Sequence, residues 1–217
     1  MTVTDVNVVK SAIFERPDDA NKGTLGSLLC VCGSYGMAGA AVMSAKGALR
    51  TGIGLAKCAL PRSIYPIVAQ TILESVYYPL SENADGRISK VNVPFLVSES
   101  CKSSATLVGC GLGVCDDTLK IVFSFIENST TPLVLDADAL NCVAKQPEIL
   151  LRKKAPIIIT PHPGEMSRLT GLATPLVNAE RERVALDFAQ KYGVVTVLKG
   201  AGTVIASPNG KVLVNPT

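Results

Sequence analysis

The chain has 217 residues, of which 47% are hydrophobic, 18% are charged and 5% are aromatic, with a formal net charge of +3. This length and apolar content suit a single domain over residues 1–217 with a sizeable core. Dispersed charges and the absence of Trp argue against a nucleic-acid surface. No apolar stretch approaches the ~20 residues of a membrane span, and the N-terminus lacks the apolar segment of a signal peptide.

Cysteine usage favours a cytoplasmic protein. The seven cysteines are an odd number, and none forms a CxxC pair. Cys30 and Cys32 share a face of one predicted strand but are poorly placed to bridge. We therefore expect reduced thiols that serve as small core residues.

Short β-branched runs alternate with stretches of helical spacing along the chain. This alternation predicts an α/β fold with a mostly parallel central sheet and right-handed crossovers. The predicted strands are 27–32, 55–60, 74–79, 105–109, 132–135, 156–160 and 194–198, then a hairpin of 202–206 and 211–214 around a two-residue Asn209-Gly210 turn. The predicted helices are 4–14, one after the glycine-rich stretch 33–39, 63–70, one after Pro94, 116–127, 138–145, 164–170 and 178–192.

Five unusual segments each follow directly after a predicted parallel strand. Open α/β sheets bind ligands outside the carboxyl ends of their strands. We therefore expect the glycines, the carboxylates, the only histidine and a lysine to converge on one edge of the sheet as an active site. The segments are GSYGMAG (33–39), GLG (111–113), DADALN (136–141), PHPGE (161–165) and KGAGT (199–203).

The two glycine-rich segments have competing interpretations. Gly33, Gly36 and Gly39 precede a helix, whose free amides favour anions such as phosphate. The spacing is neither GxGxxG nor a Walker A loop, so a tight strand-to-helix turn is an equal interpretation. For GCGLG, which ends at Gly113, a simple turn is slightly favoured over a backbone that approaches a ligand.

The carboxylates and the histidine are candidates for the chemistry. Asp136 and Asp138 suit a magnesium–phosphate site or proton transfer, although one of them, Asp138, could simply cap the following helix. His162 lies between two prolines at a strand end, which favours a ligand contact over a structural role. Glu165 could bind magnesium or its waters, or merely complement the helix dipole.

The segment from Lys199 to Thr203 combines a cation, a flexible turn and a hydroxyl group. That combination suits nucleotide phosphates or ribose. The alternative is a strand-to-strand turn with a solvated lysine. Because Lys199 directly follows a buried strand, the functional interpretation is favoured.

Taken together, these segments resemble the ADP/ATP-dependent NAD(P)H-hydrate dehydratases of the ribokinase-like superfamily. The resemblance covers about residues 22–217 and is most specific in TPHPGE and DADALN combined with the glycine-rich loop. It implies a three-layer fold with helices on both faces of the sheet. It also implies nucleotide-dependent dehydration of the S-form hydrates of NADH and NADPH, with ADP or ATP as co-substrate, Mg²⁺ as cofactor and a homo-oligomeric assembly.

Residue by residue, the resemblance places Ala40, Gly113 and His162 against the hydrate. It places Lys199, Gly200, Ala201, Gly202 and Thr203 against the nucleotide. Glu165 resembles a superfamily position in the magnesium–phosphate network, which Asp136 and Asp138 could join.

The family continues beyond VLVNPT into a GxGD motif whose aspartate is the expected catalytic base, whereas this sequence ends at Thr217. We therefore expect no efficient catalysis unless that part is supplied, for example as a separate C-terminal fragment. The epimerase fused ahead of this domain in some relatives would likewise be a separate protein.

Two other functions stay open. One is a ribokinase-like kinase for a hydroxymethylpyrimidine or thiazole alcohol, against which His162 argues because such kinases carry Asn there. The other is a non-catalytic nucleotide-binding fragment. A Rossmann dehydrogenase is disfavoured because GxGxxG is missing after the first of the predicted strands.

Overall fold

The computed structural model describes residues 2–3, 10 and 17–216. The helix predicted over 4–14 therefore lies outside the described residues, apart from Lys10. The strands are β1 (Thr2–Val3), β2 (Ser27–Val31), β3 (Leu55–Pro61), β4 (Val76–Leu80), β5 (Ala105–Val108), β6 (Leu133–Leu135), β7 (Ile157–Ile159), β8 (Val195–Leu198), β9 (Thr203–Ala206) and β10 (Val212–Asn215).

Eight α-helices lie in the described part of the chain, with short 3-10 helices at Arg62–Ile64, Lys90–Asn92 and Pro147–Arg152. The α-helices are α1 (Ala38–Arg50), α2 (Tyr65–Thr71), α3 (Val93–Cys101), α4 (Asp116–Asn128), α5 (Asp138–Val143), α6 (Pro163–Thr170), α7 (Thr174–Ala179) and α8 (Arg181–Tyr192). Most predicted boundaries agree with these to within a few residues.

All the described strands form one sheet in the order β1-β10-β9-β8-β7-β6-β5-β2-β3-β4. From β8 to β4 every neighbouring pair is parallel, whereas β9 is antiparallel to both β8 and β10. The prediction of a mostly parallel α/β sheet is confirmed. Strand order reverses between β2 and β5. The chain first adds β3 and β4 on one side of β2, and then adds β5 and the later strands on the other side.

Both faces of the sheet are covered at its centre. Alternate residues of a strand point to opposite faces, and those of β2 pack into two separate clusters. Leu29 and Val31 join a large cluster that includes side chains of α3, α4, α5, α6, α7 and α8. Cys30 and Cys32 join a smaller one with α1 and α2. The expected three layers, with both cysteines on one face, are therefore present.

The single helix predicted over 178–192 is wrong, because the structure has α7 and α8 with a break at Glu180 (φ −126°, ψ 40°). The apolar stripe of α8 is buried at Val184 and Phe188, but Ala179, which seemed to extend it, is exposed. Spacing alone does not reveal a one-residue departure from helical geometry.

The predicted two-residue turn at Asn209-Gly210 is also wrong. Ser207 donates its N–H to Lys211 O at 2.9 Å, and Gly210 donates to Ser207 O at 3.0 Å. The loop therefore holds three residues, with Pro208 second in the turn and Gly210 at φ +93°. Proline's fixed φ favours this longer hairpin loop over a two-residue turn.

No helix in the described ranges is long and apolar enough to cross a membrane. All seven cysteines are free.

Candidate functional site

The glycine-rich loops after β2 and β5 meet where the strand order reverses. Gly33 donates its N–H to Cys110 O, and the buried Ser34 hydroxyl donates to Gly111 O, both at 2.8 Å. The methyl group of Ala40 lies against the second loop, so close that a Cβ on Gly111 would come within 2.6 Å of it. The two loops thus form one cradle at the topological switch point, where open α/β sheets bind ligands.

Helix α1 points an uncapped N-terminus into this cradle. Its N-cap, Met37, makes no side-chain capping bond, and its first turn has no acidic residue. The N–H groups of Ala38 and Gly39 donate to no acceptor among residues 2–3, 10 and 17–216. Free amides at the positive end of a helix dipole favour an anion.

A polar cluster joins the ends of β6, β7 and β8. Lys199 Nζ lies 2.8 Å from Asp136 Oδ1, and Thr160 donates its hydroxyl to the same oxygen at 2.7 Å. Lys199 also donates its backbone N–H to Pro161 O at 2.8 Å. Its Nζ is 3.9 Å from Glu165 Oε2. One ammonium group therefore links three neighbouring strand ends.

Burial acts to raise the pKa of Asp136, but the hydrogen bonds from Lys199 and Thr160 outweigh it. The net effect is a pKa below the ordinary value, so this carboxylate is ionised at neutral pH. The thiol of Cys110 adds a hydrogen bond to Asp136 Oδ2 at 3.4 Å. Asp136 therefore acts as a fixed negative partner that orients Lys199.

His162 and Glu165 cap α6 reciprocally. His162 Nδ1 accepts the N–H groups of Gly164 at 3.0 Å and Glu165 at 3.4 Å, while Glu165 Oε2 accepts the N–H of His162 at 2.8 Å. Because Nδ1 accepts two amides, it carries no proton in this arrangement. The cap fixes the ring, whose side chain is 50% exposed, whereas Glu165 is buried. His162 therefore combines a structural role with a partly exposed ring.

Asp138 does not cap α5, contrary to the capping alternative. Ala137 holds the N-cap position with φ +50°, a value uncommon for a residue other than glycine. Asp138 accepts the N–H of Gly113 at 2.8 Å and contacts Asn141 Nδ2 at 3.3 Å. It therefore ties the β5 loop to α5.

The loop 199–203 joins β8 and β9 as an antiparallel hairpin. Thr203 donates its hydroxyl to Gly200 O at 3.0 Å. The N–H groups of Gly200, Ala201 and Gly202 find no acceptor in the described parts of the chain. Successive backbone amides without an acceptor are an arrangement that favours anions.

The structure brings together all five loops but does not gather the three predicted carboxylates into a metal cage. Among the residues the structure describes, no three His, Cys, Asp or Glu side chains are placed to hold a metal ion. Sequence reasoning gave no role to Thr160, Cys110 or Arg87, whose Nη1 donates to Val114 O at 3.3 Å beside Gly113. Thr160 is the last residue of the predicted strand 156–160, so its place at a strand end was an available signal.

A hollow of about 420 Å³ lies beside α1 and is lined in part by Cys110, Asp136, Thr160 and Lys199. A larger groove, about 560 Å³, lies between α6, α8 and the 3-10 helix Pro147–Arg152 and includes no residue of the five loops. Size alone therefore does not identify the site. The convergence of strand ends and open amides does.

The model of a family described as NAD(P)H-hydrate dehydratase matches residues 28–217. A bifunctional NAD(P)H-hydrate repair enzyme of Thermofilum pendens is 38% identical over 200 residues, covering 92% of this chain. The chain spans 38% of that relative's length.

Solved structures agree with the sequence match. An ADP/ATP-dependent NAD(P)H-hydrate dehydratase of Bacillus subtilis, co-crystallised with ATP/Mg²⁺, superposes with a TM-score of 0.82 at 29% identity, over 100% of this chain and 73% of that one. A ribokinase-like superfamily protein of Enterococcus faecalis gives 0.82 at 19% identity over 99% of this chain and 71% of the other. The latter likeness concerns the fold alone.

Proposed function

Because this chain belongs to the NAD(P)H-hydrate dehydratase family, we propose that it uses an adenine nucleotide to restore NADH and NADPH from their S-form hydrates. The ring hydroxyl of the hydrate accepts the terminal phosphoryl group of ADP or ATP. Phosphate then leaves with a proton from the neighbouring ring carbon, and the ring double bond re-forms. The products are the reduced cofactor, phosphate, and AMP or ADP.

The observation that carries this proposal is the pairing of two anion-binding elements at one sheet edge. The open amides of 200–202 lie beside Lys199, and the uncapped end of α1 lies across the same edge. Phosphoryl transfer needs its catalysis mainly from positioning and from stabilisation of negative charge. The hydrate and the nucleotide both carry phosphate groups. Two anion-binding elements at one edge therefore suit a reaction between them.

We assign the loop from Lys199 to Thr203 to the nucleotide. Lys199 offsets phosphate charge, and Asp136 keeps its ammonium in place. We assign Ala40, Gly113 and His162 to the hydrate, with the exposed edge of the imidazole turned toward it. We assign no catalytic base to any described residue.

Magnesium fits this site as an ion that is bound mainly by the nucleotide phosphates, rather than by a full set of side chains from the residues that the structure describes. Asp136 and Glu165 are carboxylates near Lys199, and Mg²⁺ commonly takes one or two protein carboxylates together with phosphate oxygens and water. These two residues are the ones that would hold it, with Asp138 committed to Gly113. When bound, the ion offsets charge on the phosphate oxygens.

We further propose that the protein works in the cytoplasm as a homo-oligomer. Seven free thiols support a reducing compartment. Exposed apolar side chains at Tyr35, Met37 and Met43 support contact between copies.

The test is recovery of NADH from its hydrate by the whole natural protein, followed by the absorbance of reduced nicotinamide. Magnesium is supplied with ADP or with ATP in parallel. Recovery that depends on nucleotide supports the proposal and identifies the donor. Lys199→Met should abolish most of the activity, whereas the matched control Lys211→Met, an exposed lysine in the neighbouring hairpin, should not.

Two results would contradict the proposal. One is recovery of NADH at the same rate without any nucleotide. The other is phosphorylation of a hydroxymethylpyrimidine or thiazole alcohol by a preparation that leaves the hydrate untouched, which would identify a kinase.

A further inference from the structure

Arg181 reaches from the first residue of α8 to the loop 199–203. Its Nη2 donates to Leu198 O at 2.9 Å and to Gly202 O at 3.4 Å, one carbonyl on each side of the loop. A single planar guanidinium thus spans the loop, which fixes the separation of its two ends.

The middle of the loop rests directly on the same guanidinium. A Cβ at Gly200, where φ is +149°, would come within 2.7 Å of Arg181 Nη1 and 3.0 Å of its Cζ. The absence of a side chain at this position therefore allows the backbone to lie against the cation.

Hydrogen bonds at both ends of the loop fix which way its peptide groups face. Arg181 engages the carbonyl of Gly202, and Thr203 engages that of Gly200. In a trans peptide the C=O and the following N–H point in opposite directions. The N–H of Ala201 therefore faces away from the carbonyl side, and it is one of the three amides without an acceptor among the described residues.

The position of Arg181 is not explained by the stability of its own helix. A cation at a helix N-terminus opposes the helix dipole. No carboxylate of the described residues forms an ion pair with Arg181, and its buried Nε finds no acceptor there. The hydrogen bonds that the Arg181 side chain does form go to the backbone of the loop.

We propose that Arg181 is a positioning residue for the nucleotide. It holds both ends of the loop and lies against Gly200, so that the open amides of 200–202 keep the arrangement that binds the phosphates. This inference rests on the proposed function, because the loop must bind a nucleotide for the role to exist. Arg181 acts through the loop backbone, and its unpaired charge adds to the attraction for the anion.

The experiment compares Arg181→Ala, Arg181→Lys and the control Arg183→Ala in the whole protein. Arg183 lies two residues along the same helix, pairs with Glu180, and has no hydrogen bond or ion pair to the loop among the described residues. Dissociation constants for ADP and ATP are measured by calorimetry, and the KM for the hydrate is measured separately.

For Arg181→Ala we expect both nucleotide dissociation constants to rise about 10–100-fold, since charge-assisted bonds are lost, with the hydrate KM changed less than about 3-fold. Arg181→Lys should fall between Arg181→Ala and the wild type, because an ammonium group lacks the planar fork. Added guanidinium ion at non-denaturing concentration should partly restore nucleotide binding to Arg181→Ala. Arg183→Ala should bind like the wild type.

A folded Arg181→Ala that binds nucleotide as tightly as the wild type would overturn this role while leaving the proposed function intact. Equal losses of nucleotide and hydrate affinity, without guanidinium rescue, would show a merely structural residue and also overturn it. If the alanine variant does not fold, Arg181→Lys decides by the same comparison. Failure of the wild type itself to bind nucleotide would overturn the proposed function and this inference together.

Discussion

Replacing Gly109 with alanine tests whether the site depends on a close approach between the loops after β5 and β6. Gly109 has φ +125°, and a Cβ there would lie 1.9 Å from Asp136 O and 2.7 Å from Ala139 Cβ. The same Asp136 carbonyl accepts the N–H of Ala139 at the start of α5. The substitution therefore presses on backbone, which cannot move aside as a flexible side chain could.

The expected cost has two parts. A residue other than glycine in such a conformation costs about 1–3 kcal/mol, and forced overpacking adds about 1–3 kcal/mol. We expect Gly109→Ala to lose roughly 2–6 kcal/mol of unfolding free energy. Gly171, at φ +76° with nothing within 4 Å of its Cβ position, is the matched control. Gly171→Ala should lose only about 1–2 kcal/mol, the cost of a left-handed conformation.

Urea unfolding followed by circular dichroism measures both variants under one set of conditions. The difference between them is mainly the steric part, because both introduce the same methyl group at a positive φ and the conformational costs differ by about 1 kcal/mol at most. Equal losses for the two variants would refute the close approach between the two loops. Nucleotide affinity, measured on folded Gly109→Ala protein, should also fall. The substitution pushes on the backbone of Asp136, whose carboxylate is the partner of Lys199.

Three further substitutions give distinct outcomes. His162→Ala removes the acceptor of two helix amides, so it should lower the free energy of unfolding in urea by about 1 kcal/mol. It should also raise the hydrate KM without altering nucleotide affinity. A loss of nucleotide affinity with an unchanged hydrate KM would contradict our assignment. Lys199→Met should raise the pKa of Asp136, since burial then outweighs the remaining hydrogen bonds. The wild type's stability advantage from this group should be full only above the raised pKa of the variant, and it should vanish as the pH falls through the lowered pKa of the wild type. A pH-independent difference would contradict this pairing. Glu99→Gln leaves the half-buried Lys57 without its carboxylate but with its hydrogen bond to Ser103 and should cost about 1–3 kcal/mol. Removal of the exposed charge in Lys102→Met should cost less than about 1 kcal/mol.

The general location of the site could be predicted from the sequence because parallel strands place their carboxyl ends at one edge. Lys199 and Asp136 are 63 residues apart, yet both follow predicted strands, so their meeting required only the strand order. Local capping signals were weaker guides. Asp138 looked like an N-cap, but it accepts the N–H of Gly113 in the loop after the neighbouring strand β5. That partner is 25 residues away in the chain, so local sequence does not reveal it.

Other features had no sequence signal. Arg181 looked like one more charged residue on an amphipathic helix, and its contacts with Leu198 and Gly202 depend on where Glu180 interrupts that helix. The break follows from backbone angles at one residue, which hydrophobic spacing does not report. The three-residue hairpin loop, by contrast, did have a signal in Pro208, which outweighed the shorter turn that Asn209-Gly210 fitted.

The pairing of β2 with β5 also has a consequence for how the protein is made. Ser34 and Gly111, which hold the cradle together, are 77 positions apart. During synthesis β2 can pair with β3 early, but its other edge stays open until β5 leaves the ribosome. An apolar edge exposed during that interval can recruit another chain. Slower elongation between these two segments should therefore lower the yield of native protein.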